Sequence, residues 1–439
     1  MRLTLLKNKC KFNRFLINRR FLSEERAKSS NQQNERFSST REPFDVVING
    51  GGIVGLSFLA ALRKSPFMND KRVLLLEQAS RPSIAANATL LENRERSLGN
   101  RVSSLTAASK QFFEAIDVWS QIKPFAKEIK AMHVWAHDFY NGISFYPSSP
   151  SVSDMFYSNA VKHESNVCYI VENKHVLNAL SKTASSDCIR YESSSTEITE
   201  NNEYIDIVVN GKDLLSTSLL VACDGFNSFV RQNCDVNYFD LDLQQSAIVG
   251  TIEVVNELEN DENDVAYQRF IPETNSVFAI LPLTRNYASF VLSIPSNTGE
   301  RLMSLTDEEF VDTLNDALFS RLKVTNSSFI QSAVTNIDKV LNTFLPPSLR
   351  RSRAPRSNPP HISSLQPNSH AMFPLRFGTT LPYLVTSPKG GKNNKVVIIG
   401  DASHRIHPLA GQGLNLGLGD AQLLADCLLK DINALNKTL

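Results

Sequence analysis

The hydrophobic and polar positions of the first folded segment follow the pattern of a strand, a turn, a helix and a second strand. From Phe44 the chain reads FDVVIN, then the glycine-rich GGGIVG, then LSFLAALRK with apolar residues at helical spacing, and then VLLLE. A helix that returns the chain to a second strand beside the first is a βαβ unit with parallel strands. The pattern therefore predicts an α/β fold that begins near Phe44.

The middle of the chain has a different pattern. Apolar strands are separated by turns and charged segments, which is typical of antiparallel pairing. The predicted strands are Ala247–Val254, Val277–Leu283 and Ala288–Ile294. An amphipathic helix follows over Asp307–Phe319, with Thr306 as its cap. We therefore expect an antiparallel sheet inserted into the α/β frame.

Further elements are predicted on both sides of this insertion. They are a helix that starts near Ser103 and runs through Ile116, strand-like residues over Met132–Phe145, an extended and then helical segment over Tyr169–Leu180, and strands at Leu219–Cys223 and Lys395–Ile399, with a helix from Gly413. The segment 345–369 is rich in Pro, Ser and Arg and is predicted to be a loop. Two interpretations of its charge stay open, a solvated loop and a contact with an acidic partner or a membrane surface.

The first 40 residues differ from the rest in charge. Seven basic and no acidic residues lie between Met1 and Ser23, interleaved with apolar ones, and Ser29–Thr40 is rich in Ser, Asn and Gln. This composition is typical of a mitochondrial transit peptide, and a disordered basic tail is the alternative. We therefore leave residues 1–40 out of the fold.

Composition excludes several other classes of protein. The 439 residues are 42% hydrophobic, which allows two or three domains, and the net charge of +1 does not favour nucleic acid as a partner. None of the six cysteines forms a CxxC pair or has zinc spacing with a histidine, so no metal site is expected. No apolar run approaches the roughly 18 residues of a membrane span, so any membrane contact is expected to be peripheral.

The glycine-rich turn is the first candidate site. In Gly50-x-Gly52-x-x-Gly55 the first glycine permits the tight turn, the second lets a pyrophosphate approach the backbone, and the third lets helix and strand pack closely. The anion is then held at the positive end of the helix. Glu77 ends the second strand 22 residues beyond Gly55, where a carboxylate accepts hydrogen bonds from ribose hydroxyls. The alternative is a glycine-rich turn without a ligand. Asn49, a polar residue at a buried strand end, requires hydrogen-bond partners.

Two later segments carry similar chemistry. Asp224-Gly225 follows a buried strand directly, which suits either a loop that reaches a ligand or an ordinary turn, with Ser228 and Arg231 as anchors of the next turn.

The third candidate segment is VVIIGDASHRIHPLAGQGLNLGLGDAQLLADCL, from Val396 to Leu428. Asp401 follows its strand and is placed to hold a polyol, while Pro408 shapes a turn. Gly411, Gln412 and Gly413 then lead into a helix whose N-terminus stabilises negative charge on a ligand.

Other polar residues are weaker candidates. His404 and His407 have no carboxylate or third histidine that completes a metal or acid–base site, so we interpret them as loop and packing residues. Tyr267, Arg269 and Phe270 either border a pocket or belong to an ordinary strand.

The three motifs together resemble those of the FAD-dependent aromatic hydroxylases, the group-A flavoprotein monooxygenases. NRVSSLTAAS (Asn100–Ser109), YIVENKHVLNAL (Tyr169–Leu180) and QSAIVGTIEV (Gln245–Val254) are similar to the branch that acts in ubiquinone biosynthesis. The resemblance runs from about Phe44 to the C-terminus. It implies a Rossmann-like FAD-binding domain with an inserted, mostly antiparallel substrate domain.

The resemblance implies a role for each matching residue. FAD would be bound through its pyrophosphate, riboses and isoalloxazine ring by Gly50, Gly52, Gly55, Glu77, Arg101, Asp224, Gly225, Asp401, Pro408, Gly411, Gln412, Gly413, Leu414 and Asn415. The implied domains are a discontinuous FAD-binding domain (41–130, 160–240 and 370–439) and a substrate domain (131–159 and 241–344), followed by the loop 345–369.

The implied reaction is hydroxylation of a polyprenylated phenol by dioxygen, with the chemistry carried by the flavin. Electrons would come from a ferredoxin-type donor or NAD(P)H. The implied setting is a ubiquinone-biosynthesis complex in peripheral contact with the matrix side of the mitochondrial inner membrane.

Two departures from the family leave alternatives open. Cys223 replaces the usual alanine before Asp224, and the chain ends at Leu439, where family members continue with further helices. A monooxygenase or epoxidase with another substrate and a non-catalytic FAD-binding subunit are the alternatives.

Overall fold

The computed structural model describes residues 41–82, 98–137, 139, 142–147, 166–184, 186–200, 204–234, 236–255, 263–319, 358–381, 384–386, 394–408 and 411–437, with backbone alone at 186, 200, 384–386, 394 and 434–437. The predicted transit segment 1–40 and most of the predicted loop 345–369 lie outside these residues.

Twenty strands and eight α-helices lie within the described residues. The strands are β1 (Glu42–Asn49), β2 (Val73–Leu76), β3 (Val102–Leu105), β4 (Lys127–Ile129), β5 (Ala131–Trp135), β6 (Ile143–Phe145), β7 (Cys168–Glu172), β8 (Ile189–Arg190), β9 (Ser195–Glu200), β10 (Ile205–Val209), β11 (Asp213–Ala222), β12 (Tyr238–Val255), β13 (Val265–Ile271), β14 (Ser276–Pro282), β15 (Tyr287–Pro295), β16 (His361–Leu365), β17 (Ala371–Thr380), β18 (Leu384–Thr386), β19 (Asn394–Ile398) and β20 (His404–Arg405). The helices are α1 (Ile53–Arg63), α2 (Ala107–Ala115), α3 (Trp119–Ile122), α4 (Asn173–Thr183), α5 (Phe229–Asn233), α6 (Ser296–Leu302), α7 (Asp307–Phe319) and α8 (Gly413–Lys437).

The first sheet contains the predicted βαβ unit. Its order is β18–β19–β11–β1–β2–β8, and its strands from β19 to β8 run parallel. β1 lies between β2 and β11, so that Asn49 at its end pairs with Leu76 on one side and Ala222 on the other. The carboxyl ends of β2, β1, β11 and β19 therefore share one edge of the sheet. In open parallel sheets ligands bind at this edge, beside the strand where the chain order reverses.

The second sheet is the expected antiparallel insertion. Its order is β20–β17–β12–β15–β14–β13–β5–β6, with β16 also on β12, and only the β13–β5 pair of this sheet is parallel among the described strands. One face packs on α7 in a core that includes Phe278, Phe290, Phe310 and Leu314. The opposite face contacts the segment before β3, where Thr251 Oγ1 donates to the Gly99 carbonyl at 3.3 Å.

A small third sheet, β3–β7–β4, lies between these two units. Leu98, Ile129 and Ile170 from this region pack with Ala266 and Leu283 of the second sheet. This shared core holds the antiparallel sheet against the nucleotide-binding unit.

Most of the predicted elements are confirmed with small shifts of boundary. Helix α7 covers the predicted residues, and Thr306 caps it by accepting from the Glu309 amide, while the Glu309 carboxylate accepts from the Thr306 amide at 3.0 Å. This reciprocal pair is a capping box, which fixes where the helix begins.

Two predictions about elements were wrong. The helix expected from Ser103 begins at Ala107, because Val102–Leu105 pairs with β7 and Thr106 accepts from the Ser109 amide as the cap. The predicted loop 345–369 contains β16, in which the buried Ile362 and Leu365 pair against β12. Two prolines precede this strand, where the missing amide hydrogens disrupt no ladder.

The predicted domain boundaries stay a prediction, but the sheets divide the chain differently in places. β17 and β20 fall within the segment 370–439 expected in the FAD-binding domain, yet both are hydrogen bonded in the antiparallel sheet. Within the described part of the chain, no helix has the length and apolar character needed to cross a membrane.

Candidate functional site

Four of the predicted site residues follow the carboxyl ends of neighbouring parallel strands. Gly50 follows β1, Glu77 follows β2, Asp224 comes two residues after β11, and Asp401 comes three after β19. The sheet thus brings together three motifs that are far apart in sequence. The edge that they form is the expected ligand edge of an open α/β sheet.

The glycines of the first motif have separate roles in the structure. Gly50 has φ +109, and a Cβ there would lie 2.4 Å from the Cys223 carbonyl oxygen. A Cβ at Gly55 would lie 2.0 Å from the Gly50 carbonyl oxygen, so this glycine lets α1 pack on the turn. A Cβ at Gly52 would meet no atom within 4 Å. Gly52 therefore faces open space in front of the N-terminus of α1, where a pyrophosphate is expected.

Glu77 is fixed at the end of β2 by backbone donors. Its Oε2 accepts from the Gly51 amide at 2.6 Å and its Oε1 from the Ala79 amide at 2.7 Å. An ionised carboxylate has about four lone-pair positions, so both oxygens keep capacity for further donors. This arrangement is compatible with the predicted contact to ribose hydroxyls.

Asn49, the unexpected polar residue at the end of β1, is bound on both sides of its amide. Its Nδ2 donates to Asp224 Oδ2 at 3.0 Å, and its Oδ1 accepts from the Ser195 hydroxyl at 2.8 Å. Asp224 Oδ2 also accepts from the Val230 amide, whereas the buried Oδ1 has no hydrogen-bond partner among the described residues. A buried carboxylate oxygen without a donor is costly, so Oδ1 is suited to a hydroxyl group of a ligand.

The turn after β19 is bound to helix α8 through Asp420. Asp420 Oδ2 accepts from the Gly400 amide at 3.0 Å and from His404 Nε2 at 2.6 Å. Burial lowers the pKa of His404, but the hydrogen bond and charge of Asp420, together with the charge of Asp401, raise this pKa above its ordinary value. Desolvation raises the pKa of Asp401, which the charges of His404 and Arg405 partly offset. Asp401 thus projects from a turn that an ion pair holds in place.

The loop before α8 is held by the side chain of Asn415. Asn415 Nδ2 donates to Ser104 O at 2.7 Å and to Gly411 O at 3.1 Å, and its Oδ1 accepts from the Thr106 amide and the Ser109 hydroxyl. The amide side chain is thus used within the protein, and its backbone N–H, like that of Leu414, lies in the first turn of α8. Those N–H groups and an open space at Gly413 are available to a negatively charged edge.

The same loop contacts the antiparallel sheet at its other end. His407 Nε2 lies 3.2 Å from Gln245 Oε1, and Arg405 donates to the Pro374 carbonyl at 2.9 Å. Because side chains alternate along a strand, Gln245 shares a face of β12 with Val249, opposite the face that packs on α7. Val249 pairs with Val291, and Val291 pairs with Ala279. We call this face of small, half-buried side chains (Val249, Ala279 and Val291) the cleft face.

The site fits a dinucleotide with a flavin. An open space at Gly52, a spare carboxylate oxygen at Asp224, and two helix N-termini without acidic residues in their first turns match a pyrophosphate, hydroxyl groups and an electron-rich ring edge. No group of three or more His, Cys, Asp or Glu residues within the described ranges is arranged to hold a metal ion.

Arg101 lies near the loop before α8. It precedes β3, whose Ser104 approaches the loop through Gly411, where a Cβ would lie 3.2 Å from Ser104 Cβ. The Arg101 side chain is exposed. Arg101 thus lies immediately before the strand whose Ser104 approaches the loop.

Other expectations about polar residues have different outcomes. Tyr267 and Arg269 are 3% and 1% exposed and face the core on the α7 side, as the ordinary-strand alternative predicted. Phe270 pairs with Val277 and is half-buried on the opposite face, which it shares with Ala279. His404 does have a carboxylate partner, Asp420, which the sequence interpretation overlooked. Arg231 and Ser228 do anchor the turn after Asp224, since Arg231 donates to Ala402 O and Ser228 accepts from the Arg231 amide.

Three residues of the site were missed from sequence. Asp420 lies seven residues after Gly413, next to the buried face of α8, and an acidic residue in that position was the available signal. Gln245 gave none, because its role depends on a contact with His407. Glu172 is 1% exposed and accepts from the Gly99 amide at 2.6 Å, which holds the segment before Arg101. The available signal for Glu172 was a carboxylate at the end of the apolar strand residues Tyr169–Val171.

Comparison with known proteins bears on the site as a whole. A family model described as an FAD binding domain matches residues 389–438, which contain the third motif. The mitochondrial ubiquinone biosynthesis monooxygenase COQ6 of Xenopus tropicalis is 32% identical over 410 residues, which cover 90% of this chain and 80% of that protein. The human COQ6 protein is 31% identical over 401 residues, which cover 88% of this chain and 77% of that protein.

Solved structures show the same fold. PqsL of Pseudomonas aeruginosa, described as a probable FAD-dependent monooxygenase, superposes with a TM-score of 0.57 over 88% of this chain and 85% of that one, at 18% identity. The flavin-dependent halogenase CmlS superposes with a TM-score of 0.56 over 88% of this chain and 57% of that one, at 13% identity. The predicted fold class is thereby confirmed.

Proposed function

Since this chain belongs to the COQ6 family of mitochondrial ubiquinone biosynthesis monooxygenases, we propose that it hydroxylates the aromatic ring of a polyprenylated phenol in ubiquinone biosynthesis. It is an FAD-dependent monooxygenase, in agreement with the FAD-binding match over residues 389–438. The observation that carries the substrate proposal is the position of the cleft face. This half-buried apolar surface lies on the same side of the sheet as the loop predicted to line the flavin ring.

In this proposal the cofactor is held by residues that follow the carboxyl ends of the parallel strands in the first sheet. Gly50, Gly52 and Gly55 admit the pyrophosphate, Glu77 accepts from the adenosine ribose, and Asp224 and Asp401 bind hydroxyls nearer the ring. Arg101 would lie near the pyrophosphate and the ribityl chain of FAD. Pro408, Gly411, Gln412, Gly413, Leu414 and Asn415 would border the ring. When bound there, FAD supplies the two electrons that activate dioxygen for transfer to the substrate.

The protein itself positions the substrate, shields the site from water and stabilises charge on the cofactor. The backbone N–H groups at the start of α8 stabilise negative charge at the ring edge. The small apolar side chains of the cleft face would lie against the phenol ring. No acid–base triad is required for such a reaction, because the ring of the substrate is already electron-rich.

The setting of the reaction belongs to the same proposal. The relatives are named mitochondrial proteins, which supports a mitochondrial location for this chain. We place it at the matrix side of the inner membrane, in peripheral contact and together with the other enzymes of the pathway. Electrons come from a ferredoxin-type donor or from NAD(P)H. Of these two donors we favour the ferredoxin type, so we expect NADPH alone to reduce the flavin slowly.

The experiment that tests this function uses the purified full chain loaded with FAD. The bound flavin is reduced anaerobically with light and an artificial donor, and then mixed with dioxygen and a geranyl-substituted phenol. A product with one added oxygen, identified by mass spectrometry, supports the proposal. Oxygen consumption without that product, but with product from an alkene substrate, would favour an epoxidase. A folded protein that binds FAD and oxidises no substrate would favour a non-catalytic subunit.

A further inference from the structure

We propose that Gln245 and His407 are positioning residues for oxygen transfer, because their hydrogen bond sets the gap between the flavin-lining loop and the cleft face. The inference rests on the proposed function and adds two residues to it. Neither residue is placed in contact with the substrate or the flavin. Both act through the loop that contains Pro408 and through strand β12.

A β-bulge directs Gln245 towards the loop. The pairing of β12 with β17 shifts register between Asp242 and Gln245, and Gln244 has φ +54. The Gln244 amide donates to Asp242 Oδ1 at 2.8 Å, which fixes the bulged conformation. A bulge bends its strand and changes the direction of the next side chain. Here that side chain is Gln245, at the point where β12 passes the loop.

The orientation of the Gln245 amide follows from its second partner. Gln245 Nε2 donates to the Asn275 carbonyl at 3.0 Å, so Oε1 is the atom that faces His407. His407 Nε2, at 3.2 Å from Oε1, must then carry the hydrogen. Burial lowers the pKa of His407, in agreement with a neutral imidazole that donates through Nε2. The turn before β14, strand β12 and the loop are thus linked in series.

The loop is held from two directions. Asn415 binds its end to β3 of the third sheet, and His407 binds its beginning to the antiparallel sheet. Arg405 adds a second contact to that sheet through the Pro374 carbonyl. Since Asn415 fixes the loop relative to the flavin, the His407–Gln245 bond fixes the sheet relative to both.

The consequence concerns the fate of the electrons. In the productive outcome, dioxygen takes two electrons from reduced FAD and two from the substrate, and the products are the hydroxylated phenol and water. In the unproductive outcome, dioxygen takes only the two electrons from reduced FAD, together with two protons, and the product is hydrogen peroxide. The first outcome needs the phenol ring at the correct distance from the flavin. A small displacement of reacting groups lowers a rate by up to about a hundredfold. Loss of the bond should therefore shift the outcome towards peroxide while FAD stays bound.

The test compares Gln245→Leu and His407→Leu with the wild-type holoenzyme. Each protein is photoreduced anaerobically and mixed with dioxygen and a geranyl-substituted phenol, and hydrogen peroxide and hydroxylated phenol are both quantified. The conservative variant His407→Gln keeps an N–H donor at about the same distance. Gln232→Leu makes the same change at an exposed position and serves as the control.

We expect the peroxide-to-product ratio to rise about tenfold in both leucine variants. The ratio should return towards the wild-type value in His407→Gln and stay unchanged in Gln232→Leu, with FAD near one per chain throughout. Ratios equal to wild type in both leucine variants would overturn the inference. Loss of FAD from both would also overturn it, since the bond would then hold the cofactor. A wild-type enzyme that forms no product would instead refute the proposed function.

Discussion

At the residue scale, polar side chains at the strand ends fix the protein and leave defined positions for the ligand. Asn49 and Asn415 use their amides for hydrogen bonds within the protein. Asp224 is bound through one oxygen only, and the other is buried without a partner among the described residues. Asp420 is shared between the Gly400 amide and His404. The rigid residues therefore determine where the ligand-binding oxygens lie.

The His404–Asp420 pair predicts a pH dependence of stability. The folded state raises the pKa of His404 above its ordinary value of 6.5, so the protein binds this proton more tightly when folded. The resulting stabilisation is complete below that ordinary pKa and is lost as pH rises through the raised one. We therefore expect the free energy of unfolding of wild type, relative to that of His404→Gln, to be greater at low pH than at high pH.

Urea unfolding of both proteins across the range from about pH 5 to about pH 9 measures this difference. A difference that stays constant over the range would show that folding leaves the pKa of His404 unchanged. The variant Asp426→Asn, which changes an exposed acid on the same helix, is the control for general charge effects.

At the element scale, two glycines of one motif have different consequences for the βαβ unit. Gly55 lies where α1 crosses the Gly50 carbonyl, so its size controls the packing of helix on strand. Gly52 is the cap of α1, with an ordinary φ of −71 and open space in front of it. The motif therefore separates into a packing position and a ligand position.

We expect Gly55→Ala to lower the free energy of unfolding by about 1–3 kcal/mol, because its methyl group overlaps a backbone oxygen. Gly52→Ala should change that free energy by no more than about 0.5 kcal/mol. It should nevertheless weaken FAD binding by about tenfold, which corresponds to about 1.4 kcal/mol. Thermal unfolding of the apoprotein and titration with FAD separate the two effects, and similar losses of stability in both variants would contradict the assignment.

The sequence predicted the elements whose signals are local. The turn at Gly50, the capped helix α7 and the strand before Asp401 have their turn residues, caps and apolar positions within a few residues of one another. β16 was missed because Pro359 and Pro360, just before it, indicate a loop, and the strand has only five residues with an alternating pattern. The contacts of Gln245 with His407 and of Asp420 with His404 depend on how distant segments meet, and no local pattern reports that.

At the scale of the whole molecule, the third sheet joins the antiparallel sheet to the nucleotide-binding unit on the side of the cleft face. On that side, Thr251 Oγ1 also contacts the Gly99 carbonyl, at 3.3 Å. Large side chains are concentrated on the opposite face, around α7. The face towards α7 is therefore a packed core, and the half-buried Val249, Ala279 and Val291 lie on the other face.

A larger side chain on the cleft face should block the substrate and spare the cofactor. We expect Val291→Phe to lower kcat/KM for the geranyl-substituted phenol by about tenfold or more, since the added volume occupies the cleft. FAD content and melting temperature should stay near the wild-type values. Ile143→Phe, at an exposed edge of the same sheet, is the matched control. Unchanged kcat/KM in Val291→Phe would place the substrate elsewhere.

The strand order of the first sheet also governs how the protein emerges during synthesis. β1 is translated early, but its neighbour β11 begins at Asp213 and the next parallel strand, β19, begins at Asn394. The pyrophosphate turn is thus made long before the helix that borders the flavin ring. β10 pairs with the first half of β11, but Leu220–Ala222 lack a neighbour on that side until β19 has left the ribosome, and an unpaired strand edge is prone to aggregation. The FAD site is complete only after this stage, so FAD can stabilise the fold only late in synthesis.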